Sequence, residues 1–172
     1  DIYGLDGVFP VARTEIGNLA AIASEEILYP EIARAMALRG AEIFVHSSSE
    51  IRSPIDTPKA IAKRARAQEN MAYVVSANTA GIELSSLPVA SGDGNSMVVD
   101  YKGRVLAESN SRETFTAFAE IDLGALDHQQ VFGFPEVDNR RWHLLDDFVE
   151  VLGRNGDGAA FANSRVKTHV HG

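Results

Sequence analysis

The sequence predicts an α/β protein with a mixed β-sheet, and three observations lead to that prediction. Short apolar runs alternate with segments whose apolar residues recur at helical spacing over residues 19–77. Two strand–helix–strand units follow one another there, and each implies a pair of parallel strands. Residues 96–107 instead have the alternation and turn residues of an antiparallel hairpin. Parallel and antiparallel strands together indicate a mixed sheet covered by helices.

The first unit opens with the apolar run Leu19–Ala23, which is typical of a strand covered on both faces. A helix is predicted from Pro30, because proline is tolerated in a first helical turn. Gly40 fits the end of that helix, and residues 41–46 have the composition of a second strand.

The second unit begins with Thr57 as a helix cap and Pro58 at the first helical position, and its helix should run to about Met71. Residues 73–77 form a third strand of the buried type. We expect the apolar face of this helix to comprise Ile61, Ala65 and Ala72. We expect its charged residues to form a solvated face: Lys59, Lys63, Arg64 and Arg66.

The remainder of the chain is less regular. A hairpin joins residues 96–100 to residues 104–107, and the alternation over 115–121 indicates one more strand. Residues 142–152 have the spacing of a short helix. The last twenty residues are rich in Gly, Asn and Ala and indicate an extended tail.

Composition excludes several classes of function. The 172 residues suffice for one domain with a hydrophobic core, and the formal net charge of −8 argues against binding nucleic acid or an anionic membrane through bulk charge. No apolar run is long enough to span a bilayer. The chain has no cysteine, which excludes disulfides, thiolate metal sites and a cysteine nucleophile. The chain opens at Asp1 and enters a core strand almost at once, so we expect its natural start to lie upstream.

Polar residues follow each of the three predicted parallel strands, at the sheet edge where α/β proteins bind ligands. Ser24 lies at a strand-to-helix turn, which suits a nucleophile, although an ordinary loop serine fits the same pattern. No GxSxG surrounds it. His46 is best interpreted as a hydrogen-bonded histidine at the edge of the core. The pair His169 and His171 is too small for a metal site.

Residues 16–34, IGNLAAIASEEILYPEIAR, resemble the nucleophile segment of the nitrilase superfamily of carbon–nitrogen hydrolases. In that segment an apolar strand leads to a cysteine, an acidic residue, Pro-Glu and an arginine. Several landmarks in the family's order are far more specific than any single motif. Those that follow are Gly40-Ala41-Glu42, Arg66-Ala67-Gln68-Glu69-Asn70, Ser76-Ala77-Asn78 with Gly81, Gly94-Asn95-Ser96, Asp100-Tyr101-Lys102-Gly103 and Arg140-Arg141.

The resemblance implies the C-terminal portion of a four-layer α-β-β-α sandwich. It also implies a hydrolase of amides, nitriles or carbamoyl groups that uses a cysteine nucleophile, a glutamate base and a lysine, needs no cofactor and forms oligomers. Two departures matter. Ser24 stands at the cysteine position, through engineering, natural variation or loss of catalysis. The residues before it include Glu15 and no lysine, so neither the base nor the lysine is assigned to any residue.

The resulting hypothesis is a carbon–nitrogen hydrolase domain over residues 1–125, impaired by Ser24, with residues 126–172 forming an extension that makes oligomer or subunit contacts. The alternative is a non-catalytic binding or assembly protein on the same fold. We expect a cytoplasmic homo-oligomer that takes a small amide, nitrile or carbamoyl substrate, without cofactor, metal, nucleic acid or membrane. Glu31 and Arg34 are expected to be structural. The site residues are Ser24 as nucleophile, Glu25 through its backbone N–H, and a pocket of Ser47, Ser48, Ser49, Glu50 and Asn78.

Overall fold

A computed structural model describes residues 7–50, 57–81, 86, 92, 94–109, 114 and 116–132, with side chains up to 127. The chain divides into two compact units, residues 1–127 and 128–172. The strands are β1 (Ala12–Thr14), β2 (Gly17–Ala23), β3 (Ile43–Ser48), β4 (Tyr73–Asn78), β5 (Ser96–Val99) and β6 (Val105–Ser109). The helices are a 3-10 segment (Ser24–Leu28), α1 (Pro30–Leu38), α2 (Pro58–Asn70) and α3 (Leu123–Phe132).

The six strands form one mixed sheet in the order β1-β2-β3-β4-β5-β6. Strands β2, β3 and β4 are parallel, whereas β1, β5 and β6 run antiparallel to their neighbours. This topology confirms the mixed α/β sheet, both strand–helix–strand units and the 96–107 hairpin. The short strand β1 was not anticipated. It pairs with β2 through a tight turn that ends at Gly17, whose φ of 115° is strained for any other residue.

The helices begin where local sequence signals place them. Pro30 and Pro58 occupy the first turns of α1 and α2, and the Thr57 hydroxyl accepts a hydrogen bond from the N–H of Ala60 at 3.0 Å. Met71 ends α2 in the left-handed conformation, with a φ of 47°. The cap and the two prolines therefore fix where the two helices begin.

One face of the sheet forms the main hydrophobic core with α1 and α2. Ile22 and Phe44 on that face are almost completely buried. On the opposite face Ala21 and Val45 are exposed, with Val45 at 44%. The prediction that β2 is covered on both faces therefore does not hold within the described residues. Apolar residues there are what the second sheet of a sandwich would cover, so the four-layer arrangement stays a prediction.

Two further expectations differ from the structure. Residues 116–121 do not form a strand, and Phe118 is 87% exposed there. Ile121 at its end packs against the cluster of Ile43, Tyr73 and Leu126, so the segment contributes to a core without pairing as a strand. The helix α3 was not predicted at all. The predicted helix at 142–152 and the tail lie outside the described residues.

Candidate active site

Ser24 occupies a strained turn directly after a parallel strand. Strand β2 ends at Ala23, and Ser24 opens the 3-10 segment with a φ of 43°, a conformation that few residues other than glycine adopt. The side chain of Glu26 accepts a hydrogen bond from the N–H of Ala23 at 2.8 Å and so closes the turn. Such strain persists only where the surroundings impose it, and it is concentrated at functional sites. Ser24 itself is half-buried.

The buried imidazole of His46 holds the carbonyl group of Ser24. Its Nε2 lies 3.0 Å from the Ser24 oxygen, and its Nδ1 lies 2.8 Å from Ser76 Oγ on the adjacent strand. Because a carbonyl oxygen only accepts, Nε2 carries the proton and Nδ1 accepts from the Ser76 hydroxyl in the neutral ring. Burial lowers the pKa of His46, which favours that neutral form. The prediction of a hydrogen-bonded histidine at the core is confirmed, and its link to Ser24 is new.

Three side chains contact the carboxylate of Glu50 at the same edge of the sheet. Lys63 Nζ lies 3.4 Å from Glu50 Oε1, and the Ser48 hydroxyl donates to the same oxygen at 3.4 Å. The hydroxyl of Thr57 donates to Glu50 Oε2 at 3.3 Å. Glu50 is only 8% exposed, so these donors replace the water that its charge loses on burial. Burial lowers the pKa of Lys63, and the charge of Glu50 opposes that shift.

The structure brings together some of the predicted pocket residues and separates others. Asn78 joins Glu50, because its Oδ1 accepts the Glu50 N–H at 2.8 Å. The Nδ2 group of Asn78 is buried and has no partner within the part of the chain that the structure describes. Ser48 belongs to the same network, whereas Ser47 and Ser49 are exposed. Ser48, Glu50 and Asn78 are therefore adjacent, as predicted for one end of a parallel sheet.

The predicted solvated face of α2 is wrong for three of its four charged residues. Lys59 and Arg66 are 8% exposed and Lys63 is completely buried, and only Arg64 lies on the exposed side. The predicted apolar face is correspondingly wrong, since Ile61 is 60% exposed. Alanines occupy several positions around α2, so the sequence pattern fits burial of either face of this helix. The buried cations lie at positions 59, 63 and 66, and this helical spacing is the signal that the sequence did contain.

Two of these buried cations hold the turn that contains Ser24. Lys59 Nζ lies 2.6 Å from Glu25 Oε1 and donates to Ser48 Oγ at 3.3 Å. Arg66 Nε donates to the carbonyl of Ile27 at 3.1 Å, near the end of the 3-10 segment. Helix α2 therefore fixes the 3-10 segment from both ends. The structural role predicted for Glu31 and Arg34 stays a prediction.

Neither a metal-binding cluster nor a membrane-spanning helix occurs among the described residues. No group of three or more His, Asp or Glu side chains among them is arranged to hold a metal ion. No helix within the described ranges is long and apolar enough to cross a membrane.

A strained serine directly after a parallel strand, beside a buried polar network, is an arrangement that suits a nucleophile but is found on several folds. The comparison with protein families makes this specific, because the carbon–nitrogen hydrolase family model matches residues 4–129. The chain belongs to that family. The nitrilase resemblance inferred from the sequence is thereby confirmed.

Relatives and solved structures agree with this assignment. The chain is 31% identical over 150 residues to the nitrilase and fragile histidine triad fusion protein NitFhit of Caenorhabditis elegans, a match that covers 85% of this chain and 33% of that protein. It is 37% identical over 101 residues to an (R)-stereoselective amidase of a Pseudomonas species, covering 59% and 35% of the two chains. The crystal structure of a carbon–nitrogen hydrolase from Helicobacter pylori superposes with a TM-score of 0.66 at 28% identity, covering 81% and 52%. The chain thus spans between a third and about half of these proteins' length.

Proposed function

We propose that the protein is a carbon–nitrogen hydrolase of the amidase or nitrilase type, acting on a non-peptide C–N bond of a small molecule. Family membership supports the reaction class, and the similarity to an amidase supports amides as substrates. The observation that carries the proposal is the conformation of Ser24, whose φ of 43° turns the residue out of the end of β2. In this proposal Ser24 occupies the nucleophile position and the backbone N–H of Glu25 faces the developing oxyanion.

The pocket wall in this proposal comprises the loop of Ser47, Ser48, Ser49 and Glu50 together with Asn78. The adjacency of Ser48, Glu50 and Asn78 supports it. Lys59 connects Ser48 to Glu25, the residue after Ser24. The Nδ2 of Asn78, which has no hydrogen-bond partner among the described residues, offers a donor for a substrate carbonyl. The homo-oligomer, the cytoplasmic location and the contact role of residues 126–172 belong to the same proposal.

Ser24 should impair catalysis strongly. A thiol is partly ionised at neutral pH and is an intrinsically strong nucleophile, whereas a serine hydroxyl is not and a carboxylate base is poorly matched to deprotonate it. The alternative is therefore a protein that binds amides without hydrolysing them, and the serine at position 24 is the observation that favours it.

The test is hydrolysis of a panel of small amides and nitriles by the 172-residue chain, by its Ser24→Cys variant and by Ser24→Ala as the matched control. We expect no appreciable turnover by any of the three, because a catalytic unit that lacks its base and lysine gains little from the nucleophile alone. The same Ser24→Cys change should restore turnover in a longer chain that supplies Glu and Lys upstream.

Two outcomes would contradict this proposal. Turnover by the 172-residue Ser24→Cys chain would show that the other catalytic groups lie within these residues. Absence of turnover from a longer chain that carries Cys, Glu and Lys, combined with calorimetric binding of an amide, would establish the binding protein instead.

A further inference from the structure

Lys59 joins two residues that both neighbour Ser24. Its ammonium group contacts Glu25, which follows Ser24 along the chain, and Ser48 on the adjacent strand. The residue before Ser48 pairs in register with Ala23, the last residue of β2. One anchor of Lys59 thus follows Ser24 in sequence, and the other follows the residue that pairs with Ala23, so the ammonium lies at the turn that contains Ser24.

We propose that Lys59 is a positioning residue of the Ser24 site. Its ammonium fixes Glu25, whose backbone N–H faces the oxyanion in the proposed function, and places a positive charge beside the nucleophile. This inference rests on the proposed function and adds a residue that the nitrilase resemblance does not supply. Residues 1–23 contain no lysine, whereas Lys59 reaches the Ser24 turn from helix α2, which follows it in sequence.

The position of Lys59 is unfavourable for a lysine on structural grounds alone. The residue lies in the first turn of α2, where the helix dipole is positive and disfavours a cation. A second buried ammonium, that of Lys63, lies one helical turn further on. The side chain of Lys59 is also 90% buried, while that of its partner Glu25 remains 66% exposed. Residues that break several local rules at once are concentrated at functional sites.

A cation at this place has a definite chemical effect. An opposite charge nearby favours the ionised form of an acid, so Lys59 should lower the pKa of a nucleophile at position 24. The same charge stabilises a developing oxyanion. The exposed carboxylate of Glu25 neutralises part of this effect and holds the ammonium in place.

The absence of cysteine from the chain makes the effect measurable without turnover. Ser24→Cys introduces a single thiol, and the pH dependence of its alkylation by iodoacetamide reports the thiol pKa. In this background, Lys59→Met should raise that pKa and slow alkylation at pH 7 by roughly three- to tenfold. Lys59→Arg, which retains the charge, should keep the low thiol pKa. Lys102→Met, which removes an exposed lysine from the β5–β6 turn, is the matched control and should leave alkylation unchanged.

Lys59→Gln gives the same readout if Lys59→Met fails to fold, because the amide retains donors for Glu25 and Ser48 without the charge. An unchanged thiol pKa in a folded, neutral Lys59 variant would overturn the proposal. A thiol pKa in Lys59→Arg as high as that in Lys59→Met would also overturn it, because charge would then not be the cause. Alkylation requires no hydrolysis, so it tests this role separately from the proposed function. A thiol pKa that depends on Lys59, combined with no turnover by a longer chain that carries Cys, Glu and Lys, would reject the hydrolase while leaving this role intact.

Discussion

Two buried carboxylates in this protein are neutralised in opposite ways. Glu50 pairs with Lys63, thirteen residues away on α2, and neither side chain reaches solvent to an appreciable extent. Asp100 pairs with Arg104, four residues away across the β5–β6 turn, and the side chain of Arg104 is 67% exposed. Both carboxylates are buried, so the difference lies in what surrounds their cations.

The two ion pairs differ in the pKa shift of one member. The pKa of Asp100 is lowered, which favours its charged form, whereas the lowered pKa of Lys63 disfavours the charged form of that residue. Burial by itself raises the pKa of Asp100, but hydrogen bonds from the backbone N–H groups of Arg104 and Lys102 and from the Arg104 side chain lower it overall. For Lys63, burial lowers the pKa and Glu50 only partly opposes it. A turn thus stabilises its ion with backbone dipoles that are present locally, whereas the network depends on a partner that only the fold supplies.

The largest effect is expected when the network pair is broken. Lys63→Met leaves the buried Glu50 carboxylate with the hydroxyls of Ser48 and Thr57 as its partners among the described residues. The change should lower the free energy of unfolding by about 3 kcal/mol at pH 7. Urea denaturation measures this loss. The control is Arg64→Met on the exposed side of the same helix, which should cost less than about 1 kcal/mol.

The double variant Lys63→Met with Glu50→Gln should recover part of that loss, because it removes the uncompensated charge. The outcome that contradicts this is a double variant that loses more stability than the two single variants lose together. The hydroxyls of Ser48 and Thr57, rather than the ion pair, would then hold this region together.

A smaller effect is expected in the hairpin. Asp100→Asn keeps an acceptor oxygen for the turn N–H groups but loses the charge, and should cost about 1 kcal/mol at neutral pH. Because the pKa of Asp100 is lowered in the folded state, its stabilisation is present above the ordinary value of 3.8 and is lost as the pH falls through the folded value. Urea midpoints of the two proteins should therefore converge in acid. A difference that persists at the lowest pH would attribute the effect to packing.

The smallest effect concerns the proton of His46, whose pKa is lowered by burial and by the ammonium groups of Lys63 and Lys59, against the charge of Glu50 and the carbonyl of Ser24. The unfolded chain binds this proton near pH 6.5, whereas the folded chain does so only at lower pH. Stability is therefore complete above pH 6.5 and declines as the pH falls towards the folded value. His46→Gln, which does not titrate, should show a flatter dependence of unfolding free energy between pH 5 and 7. Equal slopes for the two proteins would place this histidine in contact with water.

Sequence by itself determined the elements whose signals are local. The apolar run before Ser24, the Thr57-Pro58 start of α2 and the turn at Gly103 each specify their own conformation within a few residues, because caps, prolines and glycines act on the adjacent backbone. These signals also placed Ser24, Ser48 and Asn78 at one edge of the sheet, since strand ends meet there. The ordered landmarks of the resemblance were sufficient for the family.

Only the tertiary structure decided which face of α2 is buried. Alanines lie on several sides of this helix, so the hydrophobic pattern does not mark one face as buried. A long lysine side chain can also cross an apolar surface to reach a partner. The partners of Lys59 and Lys63 lie on the 3-10 segment and after β3, at distances in sequence that no periodicity links. Burial of these cations is favourable only once Glu25, Ser48 and Glu50 are assembled around them, because an ammonium without such partners would remain in water. For the same reason the hydrogen bond from His46 to Ser24 became evident only when strands β2, β3 and β4 were placed side by side.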